Sequence, residues 1–286
     1  MVEHNFLAAL QVKLGLIKKC LPVSGGDISQ AYRVISRQGD FFVKYNPKPV
    51  ALPMFEAERA GLNAIALTHT IKTPAVYAVD KFGHGGFIIM EFIESKSPSD
   101  QDLEKLGRRL ADLHKIRYID YGGEKDNFIG NLTQVNRVEK SWPTFYAHFR
   151  LGAQLQMAQS KRLLDTHEIP PLSQIEHSIR EYIDVSHPSL LHGDLWSGNY
   201  LINQDGEPVL IDPACYQGHH QVDIAMTKLF GGFGSKFYHA YDDHMGTRPI
   251  NQAETDLYQL YYLLVHLNLF GRGYYQSVAR ILKRYF

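Results

Sequence analysis

The fold is decided by residues 189–213, which read Ser-Leu-Leu-His-Gly-Asp-Leu-Trp-Ser-Gly-Asn-Tyr-Leu-Ile-Asn-Gln-Asp-Gly-Glu-Pro-Val-Leu-Ile-Asp-Pro. Short apolar runs bounded by turn residues predict three strands here. A tight polar loop separates the first two strands, and a turn at Asp205-Gly206 separates the second from the third. Three polar side chains stand at the strand ends: Asp194, Asn199 and Asp212.

These three side chains have the chemistry of a phosphoryl-transfer site. Oxygen ligands from Asn199 and Asp212 suit a hard cation such as Mg²⁺, and the carboxylate of Asp194 could take a proton from a hydroxyl. The spacing His-x-Asp-x4-Asn, with an Asp closing the next strand, parallels the catalytic loop and metal-binding acid of protein kinases. The alternative is a hairpin whose polar residues only shape its turns. The second Asp, in its strand context, favours the catalytic interpretation.

The composition is that of an ordinary globular protein. The chain has 286 residues, 44% of them hydrophobic and 21% charged, which predicts one or two domains. Its 30 basic and 30 acidic side chains cancel, so neither nucleic acid nor a membrane is expected as a partner. Two cysteines without a Cys-x-x-Cys motif, and an amino terminus unlike a signal peptide, predict a cytoplasmic protein.

The order of the predicted elements indicates an α+β fold with two lobes. Two helices and two hairpins come first. The helices are predicted at 4–20 and 55–67, and the hairpins at 31–45 and 74–92. A polar segment at 93–100 then ends in a helix-start signal, and most later elements are helices. We therefore expect a small antiparallel-sheet lobe at 1–93 that binds nucleotide and a mainly helical lobe at 94–286 that carries catalysis and substrate binding.

Lys44 is the candidate phosphate-binding lysine. It follows the apolar residues Phe42 and Val43 on a predicted strand, and a lysine on a largely buried strand needs a partner or a ligand. Glu58 stands fourteen residues on, early in a predicted helix, and could hold the ammonium toward the α- and β-phosphates of ATP. Glu56 is a rival partner, and spacing alone leaves that choice open. A lysine exposed on an edge strand is the less favoured alternative.

Two segments are candidate nucleotide contacts. The first is a glycine-rich loop at 24–29 whose backbone amides could approach phosphate, although an ordinary Gly-Gly hairpin has the same pattern. This loop opens with Ser24, Gly25 and Gly26. The second segment, Met90 to Ile93, ends a strand at the expected linker. The backbone of Glu91 and Ile93 could pair there with an adenine edge, but a plain core strand would have the same sequence.

Further motifs extend the pattern over nearly the whole chain. They are Phe55-Glu56-x-Glu58, His192-Gly193-Asp194-Leu195-Trp196-x-Gly198-Asn199, Ile211-Asp212-Pro213-Ala214, and Gly218-His219-x3-Asp223-Ile224-Ala225-Met226 running into Leu229-Phe230-Gly231-Gly232-Phe233. With these motifs the sequence resembles the fructosamine kinases, or ketosamine-3-kinases, in the aminoglycoside phosphotransferase and choline kinase branch of the kinase-like fold. The Trp196 loop and the Leu-Phe-Gly-Gly-Phe run make the resemblance specific to that family.

The resemblance implies a reaction and a role for each matching residue. The reaction is the ATP- and Mg²⁺-dependent phosphorylation of the sugar 3-hydroxyl of a ketosamine, after which the amine is released, a deglycation repair. By position, Asp194 would be the base, and Asn199 and Asp212 would be the Mg²⁺ ligands. Lys44 with Glu58 would be the phosphate-binding pair. Leu201 and Ile211 would form the floor of the adenine site, with Met90 behind it. Asp223 would brace the catalytic loop. Trp196 is a candidate sugar contact, with core packing as the alternative.

Departures from the family pattern leave some points open. Asp27 stands where many members have a cysteine, so redox control through a thiol is not expected there. Gln221 replaces a Glu and Ser197 a Gly, which leaves fine substrate contacts undecided. Two other functions compete: a kinase for another small hydroxylated amine, such as an aminoglycoside or choline, and a catalytically inactive kinase-shaped binding module. The preferred sugar adduct and the oligomeric state stay open.

Overall fold

The computed structural model describes residues 4–23, 29–185 and 187–286. The strands are β1 Ile17–Val23, β2 Gln30–Ser36, β3 Asp40–Asn46, β4 Val76–Phe82, β5 Gly85–Glu91, β6 Ser95–Lys96, β7 Asn127–Ile129, β8 Leu132–Gln134, β9 Ser189–Leu191, β10 Tyr200–Asn203, β11 Pro208–Leu210 and β12 Tyr216–Gly218. The helices are α1 His4–Leu14, α2 Ala51–Leu67, α3 Asp100–Lys115, α4 Trp142–Phe145, α5 Ala153–Ser160, α6 Leu172–Tyr182, α7 Gln221–Leu229, α8 Ser235–Met245, α9 Gln252–Phe270 and α10 Tyr275–Tyr285. A π-helical segment, Tyr146–Gly152, joins α4 to α5.

The amino-terminal part is an antiparallel sheet of five strands with a helix on each face. The strand order is β1-β2-β3-β5-β4. Side chains alternate between the faces of a strand, so Phe87 and Ile89 of β5 pack in the cluster that contains α1, and Ile88 and Met90 pack in the cluster that contains Phe55 of α2. Because both faces of β5 are covered, its sequence is an apolar run without alternation. The predicted sheet-rich lobe is confirmed.

The predicted helix over residues 4–20 is wrong in its second half. Helix α1 ends at Leu14, and Gly15 follows with φ +67°, a left-handed conformation that favours glycine and ends helices. Ile17 is the first residue of β1, which pairs antiparallel with β2. Leu14 and Ile17 are spaced as in a helix, but the spacing is a coincidence because Ile17 belongs to the edge strand of the sheet.

The carboxy-terminal part is mainly helical and is organised around α9. This helix is apolar on nearly all sides, and its residues are buried in the largest hydrophobic cluster of the described chain. Its first turn is closed by a capping box, in which Asn251 accepts from the backbone N–H of Glu254 at 3.0 Å. Among the described residues, no helix combines the length and apolarity that crossing a bilayer would require.

Short strands place the polar loops between the two parts. The strands predicted within 189–213 are present as β9, β10 and β11, and β10 also pairs with β6 from the connecting segment. The backbone N–H of Leu210 on β11 donates to the carbonyl of Lys72, which follows α2, at 2.9 Å. The loops that carry Asp194 and Asp212 are thereby held against the sheet-bearing part.

Candidate active site

A cavity of about 720 Å³ lies between the sheet and the helical part. The predicted site residues within the described chain all line it: Lys44, Glu58, Met90, Glu91, Ile93, Asp194, Trp196, Asn199, Leu201, Ile211 and Asp212. The predicted phosphate contacts Ser24, Gly25 and Gly26, and the departure Asp27, lie outside the described residues. Val23, which precedes that loop, and Ser29, its last residue, line the cavity. The fold thus brings distant parts of the sequence to one surface.

Lys44 connects three elements. Its register on β3 points it to the face that α2 covers, where its Nζ donates to Glu58 Oε1 at 2.8 Å and also pairs with Asp212 Oδ1. Glu56, the rival partner, instead pairs with Arg59 on the same helix. Burial disfavours the charged ammonium, but the charges of Asp212 and Glu58 outweigh it and raise the pKa of Lys44. The ammonium therefore stays charged.

The pKa values of the two carboxyl groups that pair with Lys44 are shifted in opposite directions. Burial raises the pKa of Glu58 to about 7, against the attraction of Lys44. Asp212 is also buried, but Lys44 overcomes the cost of burial and lowers the pKa of its carboxyl group. Asp212 has φ +55°, which is uncommon outside glycine but tolerated by Asp and Asn. This left-handed backbone sits one residue after Ile211, where the chain leaves β11 for the cavity.

The loop before Asp194 is held from two directions. The fully buried Asp223 accepts the backbone N–H groups of His192 at 2.7 Å and of Gly193 at 2.9 Å, as the predicted brace requires. On the other side, the hydroxyl of Tyr262 donates to the carbonyl of Gly193 at 2.8 Å. Gly193 has φ +82°, and a Cβ there would lie 2.2 Å from the carbonyl oxygen of Ala214. Only glycine fits this turn.

Asp194 has the properties of a base that works near neutral pH. Burial, with the nearby charge of Asp212, raises the pKa of its carboxyl group to about 7. The side-chain amide of Asn199 opposes that rise by donating to Asp194 Oδ2 at 3.3 Å. A carboxylate with a pKa in this range can accept a hydroxyl proton and release it again.

The oxygen donors near Asp194 fit a hard divalent cation. The Nδ2 of Asn199 donates to the backbone carbonyl of Asp194 at 2.7 Å, which leaves the Oδ1 of Asn199 as its ligand atom. Asp212 contributes a carboxylate, and its charge destabilises the charged form of Asp194. A cation beside Asp212 would offset that repulsion. Carbonyl and carboxylate oxygens are the donors that Mg²⁺ prefers.

Apolar side chains near the end of β5 and around the β10–β11 hairpin also line the cavity. They are Leu201, Ile211 and Met90. The N–H of Glu91 donates to the carbonyl of Ala75 at 2.8 Å, so the carbonyl of Glu91, and not its N–H, is the group that could face an adenine edge. Ile93 lies two residues beyond, past the end of β5. A flat apolar floor with backbone polar groups at its rim suits a purine base.

Beside the predicted Trp196, the cavity lining includes residues that sequence reasoning missed. Trp196 is 37% exposed and packs against Phe230 at a centroid distance of 6.4 Å, so it faces the cavity and not the core. The cavity continues along residues from distant elements: Phe128, Gly130, His266 and Phe270. Phe230 belongs to the Leu-Phe-Gly-Gly-Phe motif, so the sequence did contain a signal that could have identified it as a site residue. His266 and Phe270 belong to an apolar helix whose pattern predicts only burial.

We expect Asp194→Asn to stabilise the folded protein, with the gain growing as pH rises. The pKa of Asp194 is about 7 in the fold, against about 3.9 for an unfolded aspartate. A raised folded pKa contributes stability that is present below the unfolded value and is lost as pH rises through the folded value. The gain in melting temperature over wild type should therefore be smaller near about pH 5 and largest near about pH 8.

Thermal melts of the two proteins across that range measure the effect. Asp205→Asn, an exposed acid in the adjacent turn, is the matched control and should shift neither melting temperature nor pH profile. A difference that does not vary with pH would contradict the assigned environment of Asp194.

Solved structures share this architecture. The crystal structure of a "putative fructosamine-3-kinase" from Haemophilus somnus superposes on this chain with a TM-score of 0.86 at 26% sequence identity. The superposition covers 98% of this chain and 96% of that one. An aminoglycoside phosphotransferase solved with streptomycin and ATP superposes at 0.64 with 15% identity, covering 99% and 97%. The second likeness is one of fold alone, and it confirms the predicted two-lobed, kinase-like α+β architecture.

Sequence relatives cover almost the whole chain. A protein of Enterococcus faecium named "probable ketoamine kinase" is 36% identical over 95% of this chain and 97% of its own length. A chloroplastic protein-ribulosamine 3-kinase of Oryza sativa subsp. indica is 41% identical over 92% of this chain and 77% of its own length. The family model described as fructosamine kinase matches residues 4–286. The chain therefore belongs to the fructosamine kinase family.

Proposed function

We propose that this chain is an ATP- and Mg²⁺-dependent kinase of ketosamines that phosphorylates the sugar 3-hydroxyl of fructosamine or ribulosamine adducts and so serves deglycation repair. One observation carries the proposal: Lys44, Glu58 and Asp212 meet at the cavity that Asp194 and Asn199 also line. Membership of the fructosamine kinase family supports the substrate class. The named relatives, ketoamine and ribulosamine kinases, support it further.

The mechanism asks for alignment and charge neutralisation more than for covalent chemistry. Lys44, fixed by Glu58, offsets phosphate charge at the nucleotide. Asn199 and Asp212 would hold Mg²⁺, which would supply positive charge that neutralises the negative charge of the phosphoryl group. Asp194 orients the attacking hydroxyl and takes its proton late, as a base whose pKa of about 7 suits neutral pH. The Asp223 and Tyr262 hydrogen bonds keep that carboxylate in place.

The proposal also divides the chain by task. Residues 1–93 form the nucleotide-binding lobe and 94–286 the catalytic and substrate-binding lobe. The division is supported by β5, which ends at Glu91, and by β6, whose residues already pair with β10 of the helical part. The cysteine usage noted in the sequence supports a cytoplasmic location. The proposed binding partner is the substrate itself, a glycated amine that is either a small molecule or bound to a protein.

The deciding experiment is a substrate panel with Mg-ATP. Mass spectrometry should detect one added phosphoryl group on ribulosyl-lysine and fructosyl-lysine, at the 3-hydroxyl by fragmentation, and none on aminoglycosides or choline. Phosphorylation of an aminoglycoside or choline instead would favour the other small-amine kinase. The absence of phosphorylation and of ATP hydrolysis across the panel would favour an inactive binding module.

We expect Asp194→Asn to keep ATP affinity and to lower kcat by about 10²- to 10⁴-fold, the usual contribution of a positioned acid or base. The amide keeps the size of the side chain but cannot accept the hydroxyl proton. Steady-state phosphorylation of ribulosyl-lysine gives kcat, and calorimetric titration gives nucleotide affinity. Near wild-type turnover in this variant would reject Asp194 as the base.

We expect Asp212→Asn to weaken Mg²⁺-dependent nucleotide binding at least about tenfold, because a charged cation ligand is lost. Asparagine tolerates the positive φ of this position, so backbone strain does not confuse the result. Calorimetry with ATP, with and without Mg²⁺, measures the change. Glu56→Gln removes a charge from α2 away from the cavity and is the control. An affinity equal to wild type would count against Asp212 as a metal ligand.

A further inference from the structure

A row of four aromatic rings leads from the catalytic loop to the protein surface. The rings are those of Trp196, Phe230, His266 and Phe270, and we call this row the aromatic wall. Successive ring centroids are 6.4 Å, 5.0 Å and 5.5 Å apart. All four side chains line the cavity that contains Asp194. The wall is therefore a continuous apolar track along one side of the acceptor region.

The two ends of the aromatic wall differ in exposure. Trp196 lies two residues after Asp194 and marks the inner end. Phe270 is the last residue of α9, is 56% exposed and packs against Tyr274 with centroids 6.4 Å apart, so it marks the outer rim. A ligand that reaches Asp194 and extends along the wall would emerge into solvent beside Phe270.

The aromatic wall carries no charge. Its one titratable member, His266, donates from Nδ1 to the carbonyl of Tyr262 at 2.8 Å, and burial lowers the pKa of its ring. Among the described residues that line the cavity, the charged side chains are elsewhere: Lys44, Glu58, Glu91, Asp194 and Asp212. A charged group laid on the wall would lose water without gaining a partner, whereas methylene groups would gain burial.

The position of the wall identifies the part of the substrate that it meets. A ketosamine has a polyhydroxylated sugar and an amine substituent on one nitrogen. The sugar must place its hydroxyl at Asp194, and the nucleotide occupies the cavity toward Lys44. The substituent then leaves the sugar on the remaining side, where the aromatic wall runs. An aliphatic stem is the chemistry that such a surface accepts.

We propose that the aromatic wall binds the amine substituent of the substrate and selects an uncharged, unbranched aliphatic stem over a short or a charged one. This inference rests on the proposed ketosamine kinase function and assigns Phe270 as a specificity-determining residue. The lysine side chain is a stem of this kind: four methylenes join the glycated nitrogen to a backbone that would lie at the rim.

Ketosamines of methylamine, propylamine, hexylamine and 3-aminopropanoate, all with one sugar, test the inference. We expect kcat/KM to rise by about two- to fourfold for each methylene that the wall covers, the usual gain for burying that group. The hexyl adduct should therefore exceed the methyl adduct by at least about tenfold. The 3-aminopropanoate adduct should fall below the propyl adduct of the same length, because its carboxylate would lie on the uncharged wall instead of reaching solvent at the rim.

Variants of Phe270 test whether the dependence of kcat/KM on chain length comes from the aromatic wall. Phe270→Ala should reduce the hexyl-to-methyl ratio of kcat/KM to about threefold or less, and Phe270→Leu should retain most of it, since leucine keeps an apolar surface. The matched control is Tyr77→Ala, which removes an aromatic ring that is 58% exposed and packs edge-on against Phe41, away from the cavity. It should leave the ratio at the wild-type value.

The outcomes distinguish this inference from the function on which it rests. If the wild-type protein phosphorylates every adduct with the same kcat/KM, or if Phe270→Ala keeps the full length dependence, the aromatic wall is not the substituent site and the ketosamine kinase function still stands. If no adduct is phosphorylated, the proposed function fails and this inference fails with it.

Discussion

The site depends on one ammonium held between two carboxylates. Lys44 comes from the sheet, Glu58 from α2 and Asp212 from the loop after β11, so a single buried group ties three elements together. Removing water from such charges is expensive, and only close pairing offsets that cost. Any arrangement that separates α2 from the Asp212 loop would leave Lys44 buried without its partners. The lobes are thus held in the relation that a nucleotide requires.

The same ion pairing explains why the site tolerates unfavourable features. Asp212 adopts a left-handed backbone, and Asp194 is a buried carboxylate whose pKa is raised by that neighbour. Each feature costs stability, and both lie where the proposed phosphoryl transfer would need negative charge and oxygen ligands close together. The hydrogen bonds from His192 and Gly193 to Asp223 stabilise the loop that carries this strain. Stability elsewhere offsets a locally strained site.

The acceptor side is built on a different physical basis. Charge dominates from Lys44 to Asp194, but beyond Asp194 the cavity is bounded by rings that contact one another at edge-on or tilted angles. Electrostatic pairing positions the polar side chains of the site, whereas apolar packing selects the amine substituent that the substrate carries. Such a separation lets the chemistry stay constant while the accepted substituent is set by a few exposed rings at the rim.

The sequence by itself determined the two-lobed fold, the strands within residues 189–213 and several of the residues that line the cavity. Spacing within a short segment decides these, because the β10–β11 hairpin places Asn199 and Asp212 at neighbouring strand ends, and Asp194 lies five residues before Asn199. Tertiary structure decided the rest. Lys44 and Asp212 are 168 positions apart, and the choice of Glu58 over Glu56 depends on how α2 rotates against the sheet. Local periodicity also could not show that α1 stops at Gly15, or that an apolar helix turns Phe270 toward a cavity, because both depend on what packs beside them.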